Sequence, residues 1–200
     1  MLKERTTKKW SLDEYHRLGE TGFFSSDYRA ELLNGGIVEM SPVGSLHKAC
    51  VHRLNKLFSR RVGESALVKI QQPLVVGEEE PVPDVVLLKP NPDDYSDRHT
   101  IASDAVLVIE VSNSTLKSDQ EVKMPKYAAA AIPKLWVVDL NADRVWIHRE
   151  PKSGSHTQIQ AYERSHSLSV QALPDVSLTV RGNPRQVGHL VPDTNDSLAM

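Results

Sequence analysis

The stretch Ala105-Val106-Leu107-Val108-Ile109-Glu110-Val111-Ser112 is apolar without alternation until Glu110 interrupts it. A short β-branched run of this kind predicts a strand covered on both faces. Downstream, Asp119 to Ala130 reads as a helix that stops before Ile132-Pro133, and Leu135 to Asp139 reads as a second buried strand. Strand, helix and strand in that order predict a right-handed crossover between parallel neighbours.

Working outward, Tyr28 to Leu33 and Ile37 to Met40 flank Asn34-Gly35-Gly36, residues that tolerate the positive φ of a tight hairpin. Ser11 and Glu14 have capping-box spacing for a helix over 12–19. From Ser45 to Val62 the helical period places Leu46, Ala49, Cys50, Leu54, Leu57, Phe58 and Val62 on one face. The other face carries Lys48, His52, Arg53, Lys56, Arg60 and Arg61. Leu67 to Val76 and Asp84 to Leu88 read as strands, and 90–104 as a polar loop. Asn141-Ala142-Asp143 turns the chain into strands at Arg144 to His148 and 157–163. The expected class is α/β, a mixed β-sheet flanked by helices with an N-terminal β-hairpin. Residues 1–10 read as a basic flexible arm, 11–181 as the domain and 182–200 as a disordered tail.

Two hundred residues with 40% hydrophobic and 25% charged content suit one globular domain. The formal net charge of −2 excludes a globally basic nucleic-acid binder, so a phosphate-gripping surface must be local. The single cysteine, Cys50, permits neither an intrachain disulfide nor a multi-cysteine zinc site, and fits a cytoplasmic protein. The N-terminus has no signal-peptide core, and no run approaches the ~20 apolar residues of a membrane span.

Two acids stand where acids are costly. Glu110 follows five apolar residues, and Asp84 lies between Val82-Pro83 and Val85-Val86-Leu87-Leu88. A carboxylate among apolar strands needs a cation, a cage of donors or a raised pKa. One hard divalent cation shared by both is the simplest reconciliation, and Mg2+, with Mn2+ as the alternative, prefers carboxylate oxygens while keeping waters.

Pro83-Asp84 followed by Glu110-Val111-Ser112 resembles the PD-(D/E)XK nuclease signature. The flanking pieces are similar to one branch, the Uma2 family of restriction-endonuclease-like proteins. They are Glu31-Leu32-Leu33-Asn34-Gly35-Gly36-Ile37-Val38-Glu39-Met40-Ser41-Pro42, His47, the residues Asp119, Lys123, Pro125 and Tyr127, and Ile132 to Asp139. The resemblance covers roughly 10–180. It implies a restriction-endonuclease-like fold, hydrolysis of nucleic-acid (DNA before RNA) phosphodiester bonds, and a homodimer. Asp84 and Glu110 would be metal ligands, with the Val111 backbone carbonyl a third. Ser112 stands where the motif lysine is usual, so the implied lysine is Lys123 on the next helix, with Lys69 in reserve. Glu31 and His47 would be accessory residues. Ala131 occupies a position often held by glycine.

Plainer readings stand beside these. Asp84 could be a turn residue, Glu110 an ion-pair partner of Lys69 or Lys123, Glu31 a surface acid and His47 a helix cap. Lys48, Arg53, Lys56 and Arg60 form either a phosphate-binding face or a solvated one. The rival functions are a catalytically weakened nucleic-acid-binding module on the same fold, and a non-enzymatic interaction protein.

Overall fold

The computed structural model describes residues 7–25, 27–113, 119–163, 167–170, 173–183 and 186–192. Helix α1 (Leu12–Glu20) begins at the expected capping box, with Ser11 and Glu14 exchanging side-chain and backbone hydrogen bonds. The hairpin β1 (Ala30–Leu33) and β2 (Gly36–Glu39) turns at Asn34 and Gly35, with φ of 52° and 68°. Those paired positive angles match the right-handed twist of the flanking strands. Of the expected basic arm, residues 1–6 lie outside the described residues. The rest is held rather than free: Trp10 N donates to Gly35 O, Lys9 to Asn34 O and Lys8 to Glu14.

A six-stranded mixed sheet forms the body, in the order β3 (Leu67–Ile70), β4 (Val85–Leu88), β5 (Ala105–Ser112), β6 (Lys134–Asp139), β7 (Arg144–Lys152), β8 (Ser155–Tyr162). Only β5 and β6 are parallel, as the crossover predicts; the other neighbours are antiparallel. Side chains alternate across the sheet, so β5 contributes Leu107, Ile109 and Val111 to one core and Val108 to the other. Helix α2 (Ser45–Arg61) seals the first core with Cys50, Val51, Leu54, Leu57 and Phe58. Helix α3 (Met124–Ala129) and the segment around Leu74 and Tyr95 seal the second. Burial on both faces explains why β5 and β6 read as continuous apolar runs.

Four expectations need correction. The strand from Leu67 ends at Ile70, because Gln71 adopts φ 48° and Pro73 has no N–H to donate to a ladder. Leu46, placed on the apolar face of α2, is exposed, since the first turn of the helix lies at the cleft, where His47 rather than Leu46 is buried. The helix from Asp119 starts as a π-turn (Asp119–Lys123) before becoming α3. The ring of Pro125 conflicts with the carbonyl four residues back in a regular helix, and the wider turn relieves that conflict. Finally, β10 (Leu173–Asn183) pairs with β9 (Ser167–Val170) and with β11 (Gln186–Pro192), so 186–192 is strand rather than disordered tail. The chain closes this sheet by backbone pairing despite its Gly/Pro-rich composition. Residues 193–200 lie outside the described residues.

The end of α3 carries a measurable strain. Ile132 N donates to Tyr127 O and Ala131 N to Ala128 O, the paired bonds of a Schellman closure. The left-handed residue is Ala131, at φ 57°. An alanine pays about 1–2 kcal/mol there, part of which a glycine returns through its freer unfolded chain. Ala131→Gly is expected to stabilise the protein by about 0.5–1 kcal/mol, read as a rise in the urea midpoint at unchanged slope. A lower midpoint would refute this account.

A second expectation concerns acid. His148 and His156 are buried, with ring centroids 5.7 Å apart. Burial, reinforced by the neighbouring His156, pulls the pKa of His148 down to about 4, and burial also lowers that of His156. The unfolded imidazole, near 6.5, takes a proton more readily than the folded one, so stability is intact above that value and falls as pH drops toward 4. About 2 kcal/mol should be lost between pH 7 and pH 5. His148→Leu should flatten that profile in urea titrations; an unchanged profile would remove His148 as its source.

Candidate active site

Asp84, Glu110, Glu31, His47, Lys123 and Val111 all line one cleft, where the hairpin, the start of α2 and the ends of β4 and β5 meet. Asp84 comes next after the last registered pair, Val85 with Ile109, and so reaches the end of β5 beside Glu110. Its Oδ2 accepts the Val111 N–H at 2.9 Å and lies 3.0 Å from His47 Nε2; its Oδ1 accepts from Gln71 Nε2 at 3.0 Å. Asp84 is thus held by three partners, from α2, from β5 and from the residue just after β3, at 7% exposure. The reading of Asp84 as a mere turn residue does not survive that cage.

Glu110 is 3% exposed and faces the α3 side of the sheet, in phase with Val108. Tyr127 donates its hydroxyl to Glu110 Oε1 at 2.7 Å. Lys123 Nζ stands 3.5 Å from the same oxygen and 2.7 Å from Glu31 Oε1. Glu31 Oε1 also accepts the Val82 N–H at 2.7 Å. Glu31 is therefore no surface acid: it is buried and shares its ammonium with Glu110. The π-turn delivers this ammonium, because Lys123 is its last residue.

The structure separates the two lysines. Lys69, the reserve candidate, lies over the Tyr95 ring at 5.6 Å and does not line the cleft. His47 is not a cap either: the N-cap of α2 is Gly44, which has no side chain to accept from the first turn, and His47 Nε2 meets Asp84 instead. The basic face of α2 is as expected, with Lys48, Lys56 and Arg60 exposed and Arg53 half-buried. Cys50 is buried beneath that helix, and burial pushes its thiol up to about 12, which rules out a nucleophilic thiolate.

Sequence reasoning missed three features. Gln71 orients Asp84; its only signal was the polar pair Gln71-Gln72 interrupting an apolar strand. Tyr127 joins the core at 0% exposure, yet its hydroxyl serves Glu110. The first turn of α2 contains no acid and no side-chain cap, and Gly44 and His47 both face the cleft. The uncompensated N–H groups of such a turn attract anions.

Buried oxygen donors within one cleft suit a hard divalent cation better than a thiol- or imidazole-seeking one. Asp84 and Glu110 supply that chemistry here, and among the described residues His47 is the only imidazole lining the cleft.

Against known proteins, the family model described as "Uma2: Putative restriction endonuclease" matches residues 12–181. A crystal structure of a "putative nuclease belonging to DUF820" from Anabaena variabilis ATCC 29413 is similar in fold, with a TM-score of 0.69 and 16% identity. It covers 85% of this chain and 94% of its own. No curated protein matches the chain.

Proposed function

The chain belongs to the Uma2 family of restriction-endonuclease-type proteins, and from that premise we propose that it is a divalent-metal-dependent endonuclease acting on DNA. The observation that carries this reading is the pair of buried carboxylates, Asp84 and Glu110, at one sheet end beside the half-buried ammonium of Lys123.

Asp84 and Glu110, with the Val111 carbonyl, would hold Mg2+ or Mn2+, and Gln71, His47 and Tyr127 fix the two carboxylates for that task. The cation would polarise the phosphoryl oxygen and lower the pKa of a water. Lys123 orients the attacking water and offsets charge growing on the phosphate, which a preorganised cation does in a water-poor cleft at no cost of reorganisation. Glu31 keeps Lys123 aimed into the cleft. The first turn of α2 receives a phosphate oxygen, and Lys48, Arg53, Lys56 and Arg60 extend the grip along the backbone.

The test is supercoiled plasmid incubated with purified protein in Mg2+, in Mn2+ and in chelator. Nicking with metal and none with chelator is expected. A weakened binding module would instead retain DNA in a salt-dependent manner without nicking under any metal, and an interaction protein would show no salt-dependent retention.

A further inference from the structure

Outside the cleft, three side chains from remote parts of the chain converge. His16 comes from α1, Glu80 from the segment before β4 and His99 from the 90–104 loop, and none of them lines the cleft. His16 Nε2 is 2.7 Å from Glu80 Oε2, and His99 Nδ1 is 3.8 Å from that same oxygen. One nitrogen or oxygen from each residue lies within 4.8 Å of the other two. The imidazoles stack at 14°, with centroids 4.3 Å apart.

The backbone holds this arrangement in place. Glu80 is 4% exposed and bridges β1, donating to Leu32 O at 3.0 Å and accepting from Leu32 N at 3.2 Å. Next to His99, Thr100 accepts from Val75 N through its carbonyl and donates its hydroxyl to Pro73 O. The loop itself is closed by a bidentate pair between Arg98 and Asp104, at 2.7 and 2.9 Å.

The donor set makes this grouping unusual: two imidazoles and one carboxylate, brought from three remote segments to one point, are all ligands for a divalent cation.

We propose that His16, Glu80 and His99 together bind a transition-metal ion, zinc, which clamps α1 and the 90–104 loop to β1. Zinc takes imidazole nitrogen and carboxylate oxygen at about 2.0–2.2 Å in a tetrahedron, which sets ligand atoms roughly 3.3–3.5 Å apart. The observed 2.7 and 3.8 Å bracket that spacing, so small side-chain rotations complete the site. Water takes the fourth position on the side of His99, whose side chain is 62% exposed. Magnesium, which avoids imidazole, is directed by the same chemistry to the carboxylates of the cleft. The clamp ties down segments 64 residues apart, and so acts mainly on stability.

The test uses tag-free, chelator-stripped protein carrying Asp84→Asn and Glu110→Gln, so that the cleft carboxylates do not compete. Zinc chloride should bind stoichiometrically by calorimetry. At a hundredfold excess over Kd it should raise Tm by about 5–10 °C, whereas magnesium chloride should leave Tm unchanged. Cobalt(II) should give the visible absorption of a four-coordinate ion. His16→Ala and His99→Ala should each abolish the zinc response; His99→Ala, at a side chain 62% exposed, should leave the metal-free melting temperature near the parent's, whereas His16→Ala, which removes the close partner of buried Glu80, should lower it. An unresponsive parent, or a zinc shift that persists in both alanine variants, overturns the site. Neither result bears on the nuclease reading, since the cleft is silenced throughout.

Discussion

Asp84→Asn is expected to cut plasmid nicking by at least about a thousandfold while the protein still folds, because a metal ligand is lost and the shape is kept. The cage around Asp84 makes this a sharp test. Its two oxygens accept from different donors, Val111 N–H on one side and Gln71 Nε2 on the other. An asparagine can accept from only one of them. The Gln71 amide can rotate to offer its oxygen to the new NH2, and His47 can change tautomer, so the fold loses only about 1–2 kcal/mol. Glu110→Gln should behave alike, because its remaining oxygen still accepts the Tyr127 hydroxyl. Initial nicking rates on supercoiled DNA, with thermal melts on the same samples, separate lost chemistry from lost folding. A folded Asp84→Asn protein that nicks at the wild-type rate would sink the assignment.

Lys123→Ala is expected to have the largest effect on stability of any single change in the cleft, and to lower activity as well. Its ammonium stands between Glu31 and Glu110, 6% and 3% exposed, and removal leaves two buried carboxylates without their shared cation. Breaking one side of a buried ion network costs about 3–5 kcal/mol. For a chain of this size that corresponds to a fall in Tm of roughly 6–20 °C. Cleavage should drop by about 10²–10³, the usual cost of removing one preorganised group that stabilises developing charge. Adding Glu31→Gln distinguishes the two roles. It removes one orphaned charge and should recover part of the lost stability, yet it supplies no cation and should recover no activity. Calorimetric melts and nicking rates on the single and double variants measure this coupling. Recovery of activity together with stability would make Lys123 a structural residue only.

Much of this molecule was legible without coordinates, for reasons tied to particular residues. Ala105 to Ser112 and Lys134 to Asp139 are buried on both sides, so their apolar runs announced central strands. Asn34-Gly35 announced its turn because few residues accept paired positive φ. The acids Asp84 and Glu110 were conspicuous because carboxylates in apolar strands demand an explanation. Gln71 and Tyr127 were not conspicuous. A polar residue at a strand end and a tyrosine on a helix have ordinary uses, and only their neighbours in space reveal another. The strand at 186–192 was missed because pairing with β10 outweighs a composition poor in strand formers.

Local pattern therefore determined the elements, the parallel crossover and the two acids, since periodicity and burial cost act over a few neighbouring residues. Only the tertiary structure decided which cation serves those acids. It sent Lys69 to Tyr95 and Lys123 to Glu31 and Glu110, and it brought His16, Glu80 and His99 together. Such choices depend on distances between side chains up to 92 positions apart in the chain, the gap from Glu31 to Lys123, and no local spacing encodes them.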